Sequence, residues 1–307
     1  MTETNWTRRE FLRRAGIGAA AVAVGPGVLA ACSKTSTGGT SGGSGGTGLL
    51  AQAKKRGYIT VGFANEAPYG FLQGGKLVGE APAVHGAIWK ALGINQLRGV
   101  NVDFGALIPG LNAGRFDAVA AGMFILPDRC KQAAFSDPVY QAPEDFMVKK
   151  GNPFHISTFQ DIAKNDKITL GVLSGASEGL YAKQLGVPAG RIKEVASQED
   201  GLAALTAGRI DAFSLTSISL NWLLKHHGGA PVELTKPFVP VIKGKQQIGA
   251  GAAVFRKDEN DLRTAFNQQL SKLRQSGELL KLIQPWGFGP ETIPPASLTT
   301  AKLCQAS

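Results

Sequence analysis

Apolar positions recur along this chain in short bursts rather than in long runs. Tyr58 to Phe63, Val100 to Phe104, Lys167 to Val172 and Ala250 to Phe255 are brief apolar or alternating stretches that predict strands. Between them, Gly86 to Leu92, Glu178 to Leu185, Ser217 to Lys225 and Asp258 to Ser276 carry helical patterns. Asp258 is placed to cap the last of these, and Gly277 interrupts it. This alternation predicts an α/β fold with mostly parallel sheets, whose ligands sit in the crevice at the strand carboxyl ends.

A short repeat sharpens that picture. Leu111-Asn112-Ala113-Gly114-Arg115-Phe116-Asp117-Ala118 recurs 94 residues later as Leu205-Thr206-Ala207-Gly208-Arg209-Ile210-Asp211-Ala212. Each copy spells a helix end, a Gly suited to the left-handed cap, a tight turn and an apolar strand. Two such units predict two similar lobes, and a cleft between lobes is a preferred place for a small molecule.

The first residues read as an address. Arg8-Arg9 precede an uncharged run from Ala15 to Ala31, the layout of a Tat export signal over residues 1–31. Its several glycines, its Pro26 and its length, at the short end for a span, argue against a permanent membrane helix. Leu29-Ala30-Ala31-Cys32 resembles the lipobox of bacterial lipoproteins, which implies cleavage before Cys32 and acylation of that residue. Ser33 to Gly48 holds only Ser, Thr, Gly and one Lys, so residues 32–53 are expected to be a tether of about 20 Å reach.

Removing residues 1–31 takes away four arginines and two glutamates, lowering the formal charge from +10 to +8 over 276 residues. The basic residues are scattered, with no Lys/Arg run or basic-aromatic motif, so nucleic acid is not an expected partner. With Cys32 acylated, Cys130 and Cys304 remain as an even pair in an oxidising compartment, where a disulfide is the default and two separate buried thiols the alternative. No CxxC or Cys/His cluster supports a metal, and no cofactor is expected.

From about Lys54 to Phe288 the chain resembles the bacterial extracellular solute-binding proteins of the polar amino acid type, with the periplasmic-binding-protein type II fold. The resemblance is carried by Gly62 to Tyr69, Leu107 to Leu111, Ala121 to Arg129 and Phe135 to Tyr140. Gly105 to Leu111, Pro127-Asp128-Arg129-Cys130, Lys149 to Pro153 and Thr299 to Cys304 resemble its ectoine/hydroxyectoine-binding subgroup. The resemblance implies lobe 1 over residues 54–147 and 249–307, lobe 2 over residues 148–248, and hinge crossings near Phe146 and Ala250. It also implies a monomer that delivers a small zwitterionic solute to an ABC permease and its ATPase, attached to the membrane through the lipid.

The same resemblance assigns site residues. Arg129 matches the arginine that grips a ligand carboxylate, a task suited to a planar two-pronged guanidinium. Tyr69, Phe104 and Phe124 match an aromatic cage for a diffuse cation, although the subgroup often has Tyr at position 104. Glu66 is placed to accept from ligand ring nitrogens, and Ser174, Ala176, Ser177 and Glu178 to meet the ligand from lobe 2. Where α-amino-acid binders carry an Asp five residues beyond the position of Asp211, this chain has Thr216, which removes a counter-ion for a primary ammonium. A cyclic amidinium carboxylate such as ectoine therefore suits the pattern better than a plain amino acid, with polar amino acids and betaine- or proline-like solutes as alternatives. An enzyme is not expected: the resemblance leaves a dehydratase of the same fold as the lesser alternative, with Glu66 or Glu178 as acid or base, but no nucleophile–base set or HExxH is present. Gly70 to Lys76 spells GxxxxGK within an expected hairpin, not a P-loop, and His226-His227 suit a helix end.

Overall fold

The computed structural model describes residues 48–305. The export signal, Cys32 and all but the end of the expected tether lie outside them. Among the described residues no helix is long and apolar enough to cross a membrane.

Two mixed sheets form the frames of two lobes. The first runs in the order Gln96–Asn101, Tyr58–Phe63, Ala118–Phe124, Gly249–Phe255, Ala134–Phe135, and Tyr140–Ala142 also pairs with Gly249–Phe255. The second runs Ile192–Val195, Leu170–Leu173, Ala212–Thr216, Glu144–Lys149, Val232–Leu234. Within each sheet the strands nearest the repeat are parallel. Gly249–Phe255 and Glu144–Lys149 run antiparallel to their neighbours, so the sheets are mixed rather than mostly parallel. These are the strands on which the chain enters each sheet from the other, and a chain arriving from the opposite lobe runs against strands fed by local helices.

The chain leaves the first sheet after Ala142 and enters the second at Glu144, with Pro143 between, and returns at Gly249. Residues 144–147, assigned from the sequence to lobe 1, therefore lie in the second sheet. Asp145 and Phe146 are buried there, opposite Leu215 and Ser214.

The repeat has one structural meaning in both lobes. Gly114 and Gly208 both take φ of 70°, ending the helices Leu107–Asn112 and Gln198–Thr206. Asp117 then donates its N–H to the Thr60 carbonyl (2.9 Å) and accepts from the Thr60 N–H at Oδ2 (2.7 Å). Asp211 does the same with Thr169, at 2.8 Å in each direction. Each Asp thus ties the start of its own strand to the neighbouring parallel strand.

Several boundaries differ from the sequence pattern for local reasons. The edge strand is Gln96–Asn101, because its parallel register with Tyr58–Phe63 ends at Asn101; Phe104 opens a short 3-10 turn, Phe104–Ala106. The helix expected from Gly86 begins at Glu80, with Pro82 tolerated in its first turn. The final long helix is Asn260–Gln275 with Glu259, not Asp258, at its N-cap position, and Gly277 sits left-handed between it and Glu278–Ile283. Leu49–Ala53, assigned to the tether, belong to a helix, Leu49–Arg56, because Leu49 and Ala53 share one face and bury it. Phe71–Gln73 and Lys76–Val78 form the expected hairpin around Gly74-Gly75.

Candidate functional site

The candidate site is built where parallel strands end. Tyr58–Phe63 leads to Glu66 and Tyr69, Gln96–Asn101 to Phe104, and Ala118–Phe124 to Phe124 and Arg129. From the other sheet, Leu170–Leu173 leads to Ala176, Ser177 and Glu178, and Ala212–Thr216 ends on Thr216. Glu66, Tyr69, Phe104, Phe124, Arg129, Ala176, Ser177, Glu178 and Thr216 line one cavity of about 20 Å³, together with Gly122 and Leu215. Ser174 is not among them: its hydroxyl turns outward and donates to Glu194 Oε2 at 2.8 Å. A larger groove of about 750 Å³ runs beside the crossings between Trp222, Trp286 and Ile248. The smaller cavity is the candidate because it alone of the two gathers Arg129, buried carboxyls and the strand carboxyl ends.

The lobes touch across this cavity. Tyr69 Oη and the Thr216 hydroxyl bond each other at 2.8 Å, and Ser219 Oγ donates to Glu66 Oε1 at 2.8 Å. Arg129 spans the gap, donating from Nη1 to the Phe124 carbonyl and from Nη2 to the Gly175 carbonyl, both at 2.9 Å. Thr216 is more than a missing counter-ion: it also caps the helix Ser217–His226 by accepting from the Ser219 N–H.

The aromatic residues are arranged in two ways. Tyr69 stacks on Tyr140 with ring centroids 5.1 Å apart, and Phe124 tilts against Tyr140 at 6.2 Å. Phe104 instead lies under the guanidinium of Arg129, 5.4 Å from ring centroid to Cζ. Gly122 makes the stack possible: it has φ of 61°, and a Cβ there would come within 2.3 Å of the Tyr69 ring. Its carbonyl accepts from the Tyr140 hydroxyl at 2.6 Å.

Burial sets the electrostatics. Glu66 is pushed up to about 8, chiefly by desolvation, with Ser219 opposing and the Glu178 charge adding. Glu178, in the first turn of Ser177–Gln184, is raised by burial against the pull of its own backbone amide. Glu144 is raised well above the carboxylate range by burial and by Glu178. Burial lowers the pKa of Arg129, while Tyr181 and Glu178 hold it up; a guanidinium stays charged through such a change. Among the described residues no group of His, Cys, Asp and Glu is placed to hold a metal ion.

Residues 59–290 match the bacterial extracellular solute-binding proteins, family 3. The chain belongs to that family. A relative, the probable amino-acid ABC transporter periplasmic-binding protein y4tE of Sinorhizobium fredii, is 37% identical over 260 residues, covering 83% of this chain and 85% of its own. The lysine/arginine/ornithine-binding periplasmic protein of Escherichia coli is 33% identical over 60% of this chain and 69% of its own length. Among solved structures, EhuB in complex with hydroxyectoine superposes with a TM-score of 0.78 at 38% identity, covering 84% of this chain and 98% of that one. An ancestral arginine-binding protein bound to arginine gives 0.66 at 29%, covering 76% and 99%. The fold is the two-lobed one expected for solute-binding proteins.

Tyr140, Glu144 and Ser219 lie outside the cavity lining but pack or bond against it, on Tyr69 and Gly122, opposite Thr216, and on Glu66 respectively, and the sequence did not single them out. Tyr140 had a signal, since it ends the Phe135 to Tyr140 segment. Ser219 had a weaker one, three residues after a capping Thr. Glu144 had none.

Proposed function

We propose that this chain is the capture subunit of an ABC importer, a monomer that takes up a small zwitterion with a delocalised cation, ectoine or hydroxyectoine. In this proposal acylated Cys32 holds it at the outer face of the membrane, and the closed lobes present the ligand to the permease. The observation that carries the reading is the pairing, in one cavity, of Arg129 on a Phe104 platform with Glu66 and with Tyr69 and Phe124, the two rings that pack on Tyr140. The guanidinium is a bidentate partner for a carboxylate, while ring faces and Glu66 suit a flat cation bearing N–H groups. Thr216, bonded to Tyr69, offers no counter-ion for a primary ammonium. The similarity to the hydroxyectoine complex supports the same class.

A cavity of about 20 Å³ holds little more than one water. Ligand entry therefore requires the Tyr69–Thr216 and Glu66–Ser219 bonds to open and the lobes to reclose around the solute. A second reading, a polar amino acid with a cationic side chain, is favoured by the buried acids Glu66 and Glu178 and by the relatives named for arginine and lysine.

Calorimetric titration of the lipid-free chain and of Arg129→Ala with ectoine tests the proposal. Loss of the carboxylate's partner should weaken binding by about 3 kcal/mol, on the order of 100-fold, with the ligand recovered unchanged. Equal affinity in the two proteins would show that the carboxylate is held elsewhere.

A further inference from the structure

Glu144 stands at the first position of the strand that enters the second sheet. Its backbone is fixed on both sides: its N–H donates to the Phe238 carbonyl and its carbonyl accepts from the Phe238 N–H, each at 2.9 Å. In the antiparallel ladder it lies opposite Thr216. The side chain is 1% exposed, and neither carboxyl oxygen has a protein partner counted as a donor among the described residues. Glu178, 2% exposed and lining the cavity, likewise leaves Oε2 without one. Glu178 and Thr216 line the same cavity and Glu144 lies opposite Thr216, which brings the two buried carboxyls together so that each bears on the other's ionisation.

Two adjacent carboxyls in a desolvated site do not both ionise; they share a proton, one donating to the other. That proton supplies the donor that Glu144 and Glu178 Oε2 otherwise lack. The other groups facing the pair are Glu66, the Tyr181 phenol, Ser177 and Arg129. Arg129 is the cation among them, and it already donates to the Phe124 and Gly175 carbonyls.

Building on the zwitterion reading of this cleft, we propose that Glu144 is a specificity-determining residue. Acting through Glu178, it holds a proton that a ligand's N–H-bearing cation displaces, so the cleft selects amidinium-type cations over quaternary ammonium. The step balances: the protonated Glu144–Glu178 pair and the cation become the unprotonated pair bound to the cation, and up to one proton passes to the buffer. Because Glu178 lines the cavity and Glu144 does not, Glu144 is a positioning residue for the contact that Glu178 makes.

The test is calorimetry with ectoine at about pH 7.5 in phosphate, HEPES and Tris, whose different ionisation enthalpies report the protons exchanged per ligand bound. The wild type should release protons, and its affinity should rise with pH from about 6 to 8. Glu144→Gln keeps a donor beside Glu178 but no longer titrates. It should bind ectoine within about tenfold of wild type, release less than half as many protons and discriminate less against glycine betaine. Glu66, raised to about 8, accounts for the release that persists. No proton release by the wild type, or the same release by Glu144→Gln, would overturn the proposal. If circular dichroism shows that Glu144→Gln does not fold, Glu66→Gln isolates the pair instead: proton release on ectoine binding should persist in it and be absent with glycine betaine, and loss of that release, or equal release with both ligands, overturns the idea. A wild type that binds arginine but not ectoine sinks the ectoine assignment alone. Arginine, which also carries N–H groups on its cation, then serves as the probe for the same comparison.

Discussion

Gly175→Ala separates closure of the lobes from binding by either lobe alone. Gly175 has φ of 77°, and a Cβ built on it would lie 2.6 Å from the Gly105 Cα and 3.0 Å from the Gly105 nitrogen, on the opposite lobe. Both neighbours are backbone, so relief requires the lobes to part by about 1 Å, which also lengthens the Arg129 bond to the Gly175 carbonyl. The left-handed conformation costs an Ala about 1–2 kcal/mol, but that cost applies to open and closed forms alike and should show in thermal stability. The clash belongs to the closed form and is worth about 1–3 kcal/mol as overpacking, which weakens ligand binding by about 5- to 150-fold. Gly105→Ala is the matched control: its Cβ would meet Gly175 no closer than 3.6 Å, an ordinary contact. Titration calorimetry and small-angle scattering on the two variants make the comparison. Gly175→Ala should bind weakly and compact little with ligand, while Gly105→Ala should behave like wild type. Equal affinity and equal compaction in all three would refute this closed interface.

The buried acids make stability depend on pH in a definite direction. Glu66 and Glu80 are both raised from 4.5 to about 8 by burial, so the folded chain holds more protons than the unfolded one across that window, and stability should fall as pH rises through it. His85, lowered from 6.5 to about 3, opposes this only below 6.5; between pH 6.5 and 8 the melting temperature should therefore drop, and Glu66→Gln and Glu80→Gln should each flatten the slope. A level wild-type profile there would contradict the burial of these groups as neutral acids. The structure joins Cys130, in the turn that carries Arg129, to Cys304, in the helix Thr300–Gln305, across 174 residues. Closing so long a loop contributes roughly 5 kcal/mol in the chain-entropy model; reduction should lower the melting temperature, and labelling of the unfolded, unreduced chain should find neither thiol free.

The fold was legible largely because its punctuation is local. The Gly114 and Gly208 turns and the aspartates that follow them are read by residues close in sequence, and they fixed two lobes before any contact was known. The mixed sheet direction was not legible, because the orientation of Glu144–Lys149 and Gly249–Phe255 depends on where the chain crosses, and crossing leaves no periodic signal. At the site, residues carried by contiguous motifs, such as Arg129 and Glu66, fall on one cavity. Ser174 fails by two residues: it directly follows the strand Leu170–Leu173, where its side chain meets Glu194, and the lining begins at Ala176. Phe104 escaped the strand expected for it and supports Arg129 instead. Tyr140, Ser219 and Glu144 meet residues of the cavity lining through pairings 18 to 153 positions apart, which a linear pattern does not encode.

The central claim is that Arg129, the aromatic group and Thr216 together select a zwitterion with a diffuse N–H-bearing cation. Side-by-side calorimetric titration of the lipid-free chain with ectoine, hydroxyectoine, glycine betaine, proline and arginine tests it most directly. Ectoine or hydroxyectoine should bind most tightly, with arginine at least about tenfold weaker. Tighter binding of arginine than of either ectoine would contradict the account and leave a polar amino acid as the ligand.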